Sequence, residues 1–414
     1  MDGVLLGCGF IDKDVTKVGD KIMKNRAQGD VMHRFLSGCL RTYRVCQRVH
    51  LPFTLIVCCL VLVGIAAVTT ASFAIGLSNN NDAWFYTRRQ IVAAAVGIVM
   101  FAVCSTLPVY LIKKIATPLF VISGALLVLV PFIGRGALGA KRWITLGPIQ
   151  IQPSEIVKFA VILFIAFVLS RNPARVKSLI SHLLHVGLCV GLCVVTERQP
   201  DLGTAMCIGI GFFATLWVGN INKLQLFLLG GIVVCGVVGL VFISGSGNSY
   251  RVARFEAIRN PAAFRTGASM QNWRSLVALA NGGVTGLGPG QSREKRLGGV
   301  PMQRTDFIYA VIGEEFGLMG TLGILGLYVA LLATGLRLSM RATDPFARYV
   351  IAGVTCSIVG QAFLNMAVVV GAVPATGIPL PLISFGGTSL VVTLGSLGIV
   401  AALSRKAQVK RSNA

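Results

Sequence analysis

The sequence predicts an all-α polytopic membrane protein, with ten transmembrane helices and a large extracytoplasmic loop between spans seven and eight. Two observations carry this. Hydrophobic residues make up 54% of the 414 and charged residues only 13%, too apolar a mixture to bury in one water-facing core. A spanning helix needs about 20 mostly apolar residues. Ten such runs follow one another, at 52–77, 89–110, 115–134, 154–170, 179–196, 203–219, 224–244, 306–336, 347–371 and 379–403.

Residues 1–50 carry nine Lys or Arg among five acids and no apolar run of spanning length. That pattern is not a cleavable secretory signal and reads as a basic cytoplasmic tail, with 405–414 as a second one. An inside N-terminus makes Lys113–Lys114, Arg171–Lys177, the turn at Lys223 and Arg337–Arg348 inner loops, while the short outer loop from Gly371 to Pro379 has no positive charge. The positive-inside rule favours that arrangement. The outer loop 245–305 holds nine Lys or Arg. Long loops translocate largely regardless of charge, so its basic excess asks for another explanation.

The net charge of +23 is accounted for by retention signals and attraction to anionic membrane lipids, and with no soluble basic domain it gives no reason to expect nucleic acid. None of the eleven cysteines falls in a predicted outer loop, so they read as small apolar packing residues rather than a disulfide framework. The four histidines form no metal motif.

Ten acids lie outside the N-terminal tail, and six of them, Glu155, Glu197, Asp201, Asp306, Glu314 and Glu315, fall at or inside span ends on the outer side. Intramembrane carboxylates normally face a protein interior or a wet cavity, so this convergence points to one polar site open to the outside. Asp306 ranks first among them. It stands at a loop-to-helix junction, where it would either cap the eighth span or serve chemistry. Glu314 lies about 12 Å deeper at ~1.5 Å per residue, beyond any helix-capping role. Glu155 and Lys158, three apart on one helical face, form either a local ion pair or a phosphate contact. Arg142 and Trp143, set between glycines, read as an interfacial anchor or a binding loop. Gln199 and Asp201 sit in a turn too polar to be bare, and the glycine-rich 281–290 is a weak candidate for an anion nest. Prolines 374, 379 and 381 with Gly386 and Gly387 imply irregular backbone at membrane depth, which is tolerated only when buried in protein or lining a cavity.

The segments GAKRWI, QPSEIVK, RQPDLGTA, SLVALANGGVTGLGPGQS, TDFIYAVIGEEFG and PLPLISFGGTS, in this order, resemble the SEDS (shape, elongation, division and sporulation) family over roughly residues 50–405. The GLGPGQSREK form of the loop is more similar to the division branch than to the elongation branch. The resemblance implies a ten-span peptidoglycan glycosyltransferase of the bacterial cytoplasmic (inner) membrane, placed at the septum, polymerising lipid II on the outer face. It implies Asp306 as the essential acid, here the general base, and Gln152, Glu155, Gln199, Asp201 and Ser384, with Arg142, Trp143 and Lys158, as cavity residues. It also implies lipid II and a nascent glycan strand as ligands, with a class B penicillin-binding protein transpeptidase and other divisome proteins as partners. Lys158, Arg142, the loop arginines or a divalent cation (Mg or Mn) would meet the leaving diphosphate. A lipid flippase, a non-catalytic scaffold and an elongation-type polymerase are the alternatives. One departure stands out: where an LPEAHTDF pattern is common, this chain reads VPMQRTDF, with Met302 at the acidic position and Arg304 at the histidine. Phe385 likewise replaces a commoner tyrosine.

Overall fold

The computed structural model describes residues 50–137, 140–146, 149–171, 179–199, 201–219, 224–231, 270–293 and 304–412. The N-terminal tail and most of loop 245–305 lie outside them. The described chain is mostly helical. In order it forms α1 (Leu51–Asn80), α2 (Phe85–Thr106), α3 (Val109–Ile133), α4 (Pro153–Arg171), α5 (Leu179–Glu197), α6 (Leu202–Val218), α7 (Met270–Gly282), α8 (Ile308–Arg341), α9 (Pro345–Val369) and α10 (Gly387–Ser412). A further helical stretch occupies 224–231, and the rest of the predicted seventh span lies outside the described residues.

Seven of these helices, α1 to α4 and α8 to α10, are long and apolar enough to cross a membrane, and the apolar parts of α5 and α6 are shorter. Local sequence sets several ends. Asp344 caps α9 by accepting from the Phe346 N–H at 3.1 Å, with Pro345 in the first turn where no donor is missed. Helices α4 and α9 are buried over most of their length, whereas α2 and α3 leave most of theirs uncovered. The centre therefore forms where α9 packs against α8, α6 and α4, and α10 lies along α2. Tyr328, Phe346, Phe307 and Leu60 are among the side chains buried there.

Two expectations need amendment. The all-helical reading misses a small antiparallel sheet, β1 (Arg135–Ala137), β2 (Ala140–Leu146) and β3 (Ile149–Ile151), in that order. Its strands are short and the longest, AKRWITL, is interrupted by Lys141, Arg142 and Thr145, so a search for long apolar runs passes over it. The last span begins at Gly387 instead of 379. Pro379 and Pro381 bring no N–H to a helix and a proline in a helix interior costs ~3 kcal/mol, so 374–386 runs as irregular chain.

Helix α8 holds 34 residues, about 51 Å at ~1.5 Å each, against a hydrocarbon core of about 30 Å. It is not continuous. Gly317 takes φ 66°, ψ −162°, a conformation that side chains other than hydrogen rarely adopt. The break frees backbone groups, and the glycine-rich loop after α7 takes them up. Leu318 N donates to Gly283 O at 2.9 Å and Met319 N to Val284 O at 3.2 Å. In return Leu287 N donates to Glu314 O at 3.0 Å and Gly288 N to Glu315 O at 2.9 Å. These two N–H groups are therefore not free to cradle an anion. The Glu314 carboxylate accepts from Arg293 N at 3.0 Å, from Asn281 Nδ2 at 3.4 Å and from the Ser292 hydroxyl. Its depth excludes capping of its own helix, but it anchors the loop.

Candidate functional site

The site is built around the irregular segment 374–386, held at one end of the bundle. It lies against α1 at Gly64, where a Cβ would stand 2.4 Å from Leu382 O, and against α6 at Gly203, where a Cβ would meet Ile378. Backbone without regular partners must be satisfied some other way when water is excluded. Here side chains do it. Gln361 Nε2 donates to Pro379 O at 2.9 Å, Asn365 Nδ2 donates to Ile378 O at 2.8 Å, and the Tyr328 hydroxyl donates to Pro381 O. Ser384 Oγ accepts from Leu380 N at 2.8 Å, and Gln90 Nε2 donates to Ser384 O at 3.3 Å.

The same groups hold the turn that carries Asp306. Phe385 N donates to Arg304 O at 2.9 Å, Ser384 Oγ donates to Thr305 O, and Asn365 Nδ2 donates to Asp306 O at 2.7 Å. Three consecutive carbonyls are thereby fixed. The capping expectation for Asp306 is not met: the N-cap of α8 is Phe307, with no side-chain cap, and Asp306 belongs to the turn before it. Its half-buried carboxylate points along the exposed Gly377, with Oδ2 3.7 Å from the position a Cβ would take there.

Glu155 and Lys158 pair as the spacing allowed. Lys158 Nζ donates to Glu155 Oε2 at 3.0 Å and to Gln361 Oε1 at 2.6 Å, with both charged side chains at most 3% exposed. Ser389 Oγ donates to the same Glu155 oxygen at 3.0 Å. Because Gln361 also holds Pro379, the buried ion pair is one hydrogen bond removed from segment 374–386. Burying two charges costs more than an exposed pair returns, and the hydrogen bonds of Ser389 to Glu155 Oε2 and of Lys158 Nζ to Gln361 offset part of that cost.

A second cluster joins at the α5–α6 turn. Asp201 caps α6 through Thr204 N at 3.3 Å and accepts from Gln152 Nε2 at 3.2 Å. Arg142 Nε, from β2, donates to Gln199 O at 2.8 Å, and Gln199 Nε2 donates to Leu127 O at 2.9 Å. Trp143 follows on β2, half-buried, paired with Arg135 of β1. The clusters meet: Glu155 N donates to Gln152 O at 3.2 Å, and the Thr388 hydroxyl donates to Gln150 O. Asp306, Gln152, Glu155, Lys158, Gln199, Asp201, Arg142, Trp143 and Ser384 thus all belong to, or adjoin, one connected polar assembly.

Sequence reading missed Gln361, Asn365 and Gln90, amides within apolar runs that signal little by themselves. It also missed Tyr86, whose ring meets Phe385 edge-on at 5.5 Å and lies 4.1 Å from the Arg304 guanidinium. Among the described residues, no three His, Cys, Asp or Glu side chains come together as a cation site.

Residues 50–409 match the family profile described as cell cycle protein, that of FtsW, RodA and SpoVE. The chain is 34% identical over 360 residues to the probable peptidoglycan glycosyltransferase FtsW of Trichlorobacter lovleyi, covering 86% of this chain and 92% of that one. It is 33% identical over 349 residues to stage V sporulation protein E of Bacillus subtilis, covering 84% and 94%. Among solved structures, a chain from a peptidoglycan synthase complex superposes with a TM-score of 0.73 at 27% identity, covering 87% of this chain and 98% of that one. Thermus thermophilus RodA superposes at 0.64 and 26% identity, with the same coverage. The polar assembly is thus set in a multi-pass membrane protein, and the chain belongs to the FtsW, RodA and SpoVE family.

Proposed function

We propose that the chain is a peptidoglycan glycosyltransferase of the division type, polymerising lipid II into glycan strands at the outer face of the cytoplasmic membrane, with Asp306 as general base. The observation that carries this is the turn 304–306. An acid outside any helix, with its backbone clamped by Asn365, Ser384 and Phe385, presents its carboxylate beside the exposed Gly377. Such a group, half-buried on a fixed turn beside an exposed glycine, is placed for a reactant.

The chemistry follows from what the reactants lack. A sugar hydroxyl is a weak nucleophile at neutral pH. Asp306 accepts the proton of the 4-hydroxyl as its oxygen bonds to the anomeric carbon of the second, lipid-linked chain. The bond from that carbon to the diphosphate breaks, the electron pair leaves with the diphosphate, and the configuration inverts. A positioned carboxylate contributes about 10²–10⁴-fold to such a step. Gln152, Arg142 and Trp143 face the space in which the sugars and their lipids are held, and the buried Glu155, Lys158, Gln199, Asp201 and Ser384 hold that wall from behind.

The reading places ten spans over 51–404, tails 1–50 and 405–414 inside, and loop 245–305 outside. Similarity to relatives named FtsW supports the division role, at the septum, and similarity to a chain of a peptidoglycan synthase complex supports a crosslinking partner of the class B penicillin-binding type. The test is polymerisation of lipid II by the purified chain, with and without that partner. Asp306→Asn, which keeps the shape of the side chain, is expected to lower the rate about 10²–10⁴-fold. Polymer formed by the variant at the normal rate would reject Asp306 as the base.

A further inference from the structure

The leaving diphosphate needs positive charge where its own charge develops. The sequence offers Lys158, Arg142 and the arginines of the long loop. The structure separates them. Lys158 is neutralised by Glu155 and bonded to Gln361, buried with its pair. Arg142 gives its Nε to Gln199 O, holding the α5–α6 turn. Arg88 is paired with Asp82. Arg304 is different. Among the described residues it has no carboxylate within ion-pair distance, and its buried Nε meets no acceptor.

Arg304 is nonetheless held in place. Its guanidinium lies 4.1 Å from the Tyr86 ring centroid and 5.9 Å from that of Phe385, and the two rings brace each other edge-on. Its carbonyl accepts from Phe385 N. Stacking on aromatic faces steadies a guanidinium without neutralising it or occupying its in-plane donors. The result is a pre-positioned cation with donors to spare, two residues before Asp306 on the same clamped turn. Arginine suits a planar, bidentate grip on phosphate oxygens.

We propose that Arg304, seated on Tyr86 and Phe385, binds the diphosphate of the lipid-linked donor and takes up the charge that develops on it as the anomeric carbon–oxygen bond breaks. This rests on the glycosyltransferase reading.

The experiment measures binding of farnesyl diphosphate, farnesyl monophosphate and farnesol to the full chain in nanodiscs of neutral phosphatidylcholine. Wild type, Arg304→Gln, Arg304→Lys and Tyr86→Leu are compared. One charge-assisted contact of this kind corresponds to about ten- to a hundredfold in affinity. Arg304→Gln is expected to lose that much for the diphosphate while farnesol binding is unchanged, which also reports that the variant is folded. Arg304→Lys is expected to keep part of the affinity, and Tyr86→Leu to lose a smaller part by releasing the guanidinium. Diphosphate affinity unchanged in Arg304→Gln overturns the proposal. So does an equal loss for farnesol. A repeat in phosphatidylglycerol nanodiscs separates the sources of phosphate: if the anionic headgroup abolishes the Arg304-dependent difference, the arginine serves the membrane surface and the proposal falls. Failure of the activity reading looks different, because wild type would then make no glycan polymer while diphosphate binding still depended on Arg304.

Discussion

Two stretches among the described residues, Gly317 and 374–386, leave regular helix inside the bundle, and they are repaired in opposite ways. At Gly317 the broken helix is closed by another backbone, loop 283–288, whose N–H and C=O groups replace those the helix lost. At 374–386 the irregular chain is closed by side chains, with Gln361 and Asn365 of α9, Tyr328 of α8 and Gln90 of α2 reaching in from three helices. A backbone-to-backbone repair uses up its donors and leaves a sealed surface. A side-chain repair imports amides and hydroxyls, fixes neighbouring carbonyls and leaves a polar wall. The first solution makes structure and the second makes a site.

The strongest way to break this contrast acts on the ion pair behind the polar wall. Lys158→Met leaves Glu155 buried without its partner, and losing one member of such a pair costs about 3–5 kcal/mol. The expected result is a large drop in thermal stability in detergent, with much of it recovered by adding Glu155→Gln. A Lys158→Met protein as stable as wild type would show that the pair does not hold the wall together. Next comes the sealed region. Gly286 has φ +84° and a Cβ there would stand 2.2 Å from Glu315 O. Gly286→Ala is expected to cost at least about 1–3 kcal/mol for the backbone conformation alone. Limited proteolysis should then cut within 281–293 while the affinity for farnesyl diphosphate stays the same. The smallest effect belongs to Ser384→Ala, which removes its contacts to Leu380 N and Thr305 O. A loss of about 1 kcal/mol in stability is expected. Its rate of lipid II polymerisation should fall further than that stability loss explains, since Thr305 adjoins Asp306. An unaltered rate would detach the wall from the base.

Most of the helices were legible because apolar runs report burial in lipid directly. The carboxylates were legible for the same reason, as exceptions that such runs do not tolerate without cause. What escaped was set by tertiary contact. Nothing around Gly317 distinguishes it from Gly320 or Gly323 until loop 283–288 is seen bonded to the break. Glu314 read as a functional acid because the partner that explains it, the loop of Asn281 to Arg293, comes from another segment. Gln361 and Asn365 sit in α9 at positions whose importance depends on where Pro379 and Asp306 fall. Arg304 and Phe385 each looked like an isolated departure from the family pattern, and only the fold brings them together on Tyr86.

The glycines at the sealed break have a consequence for how this sequence can drift. A Cβ on Gly286 would meet Glu315 O, one on Gly317 would meet Val284 O, and one on Gly282 would meet Gly313 O. Each obstacle is main chain, which no second substitution can trim. Arg304, Tyr86 and Phe385 touch through side chains, so a change in one has a possible answer in the others. Over generations the seal is therefore frozen residue by residue, while the aromatic seat of the arginine is free to be exchanged as a set.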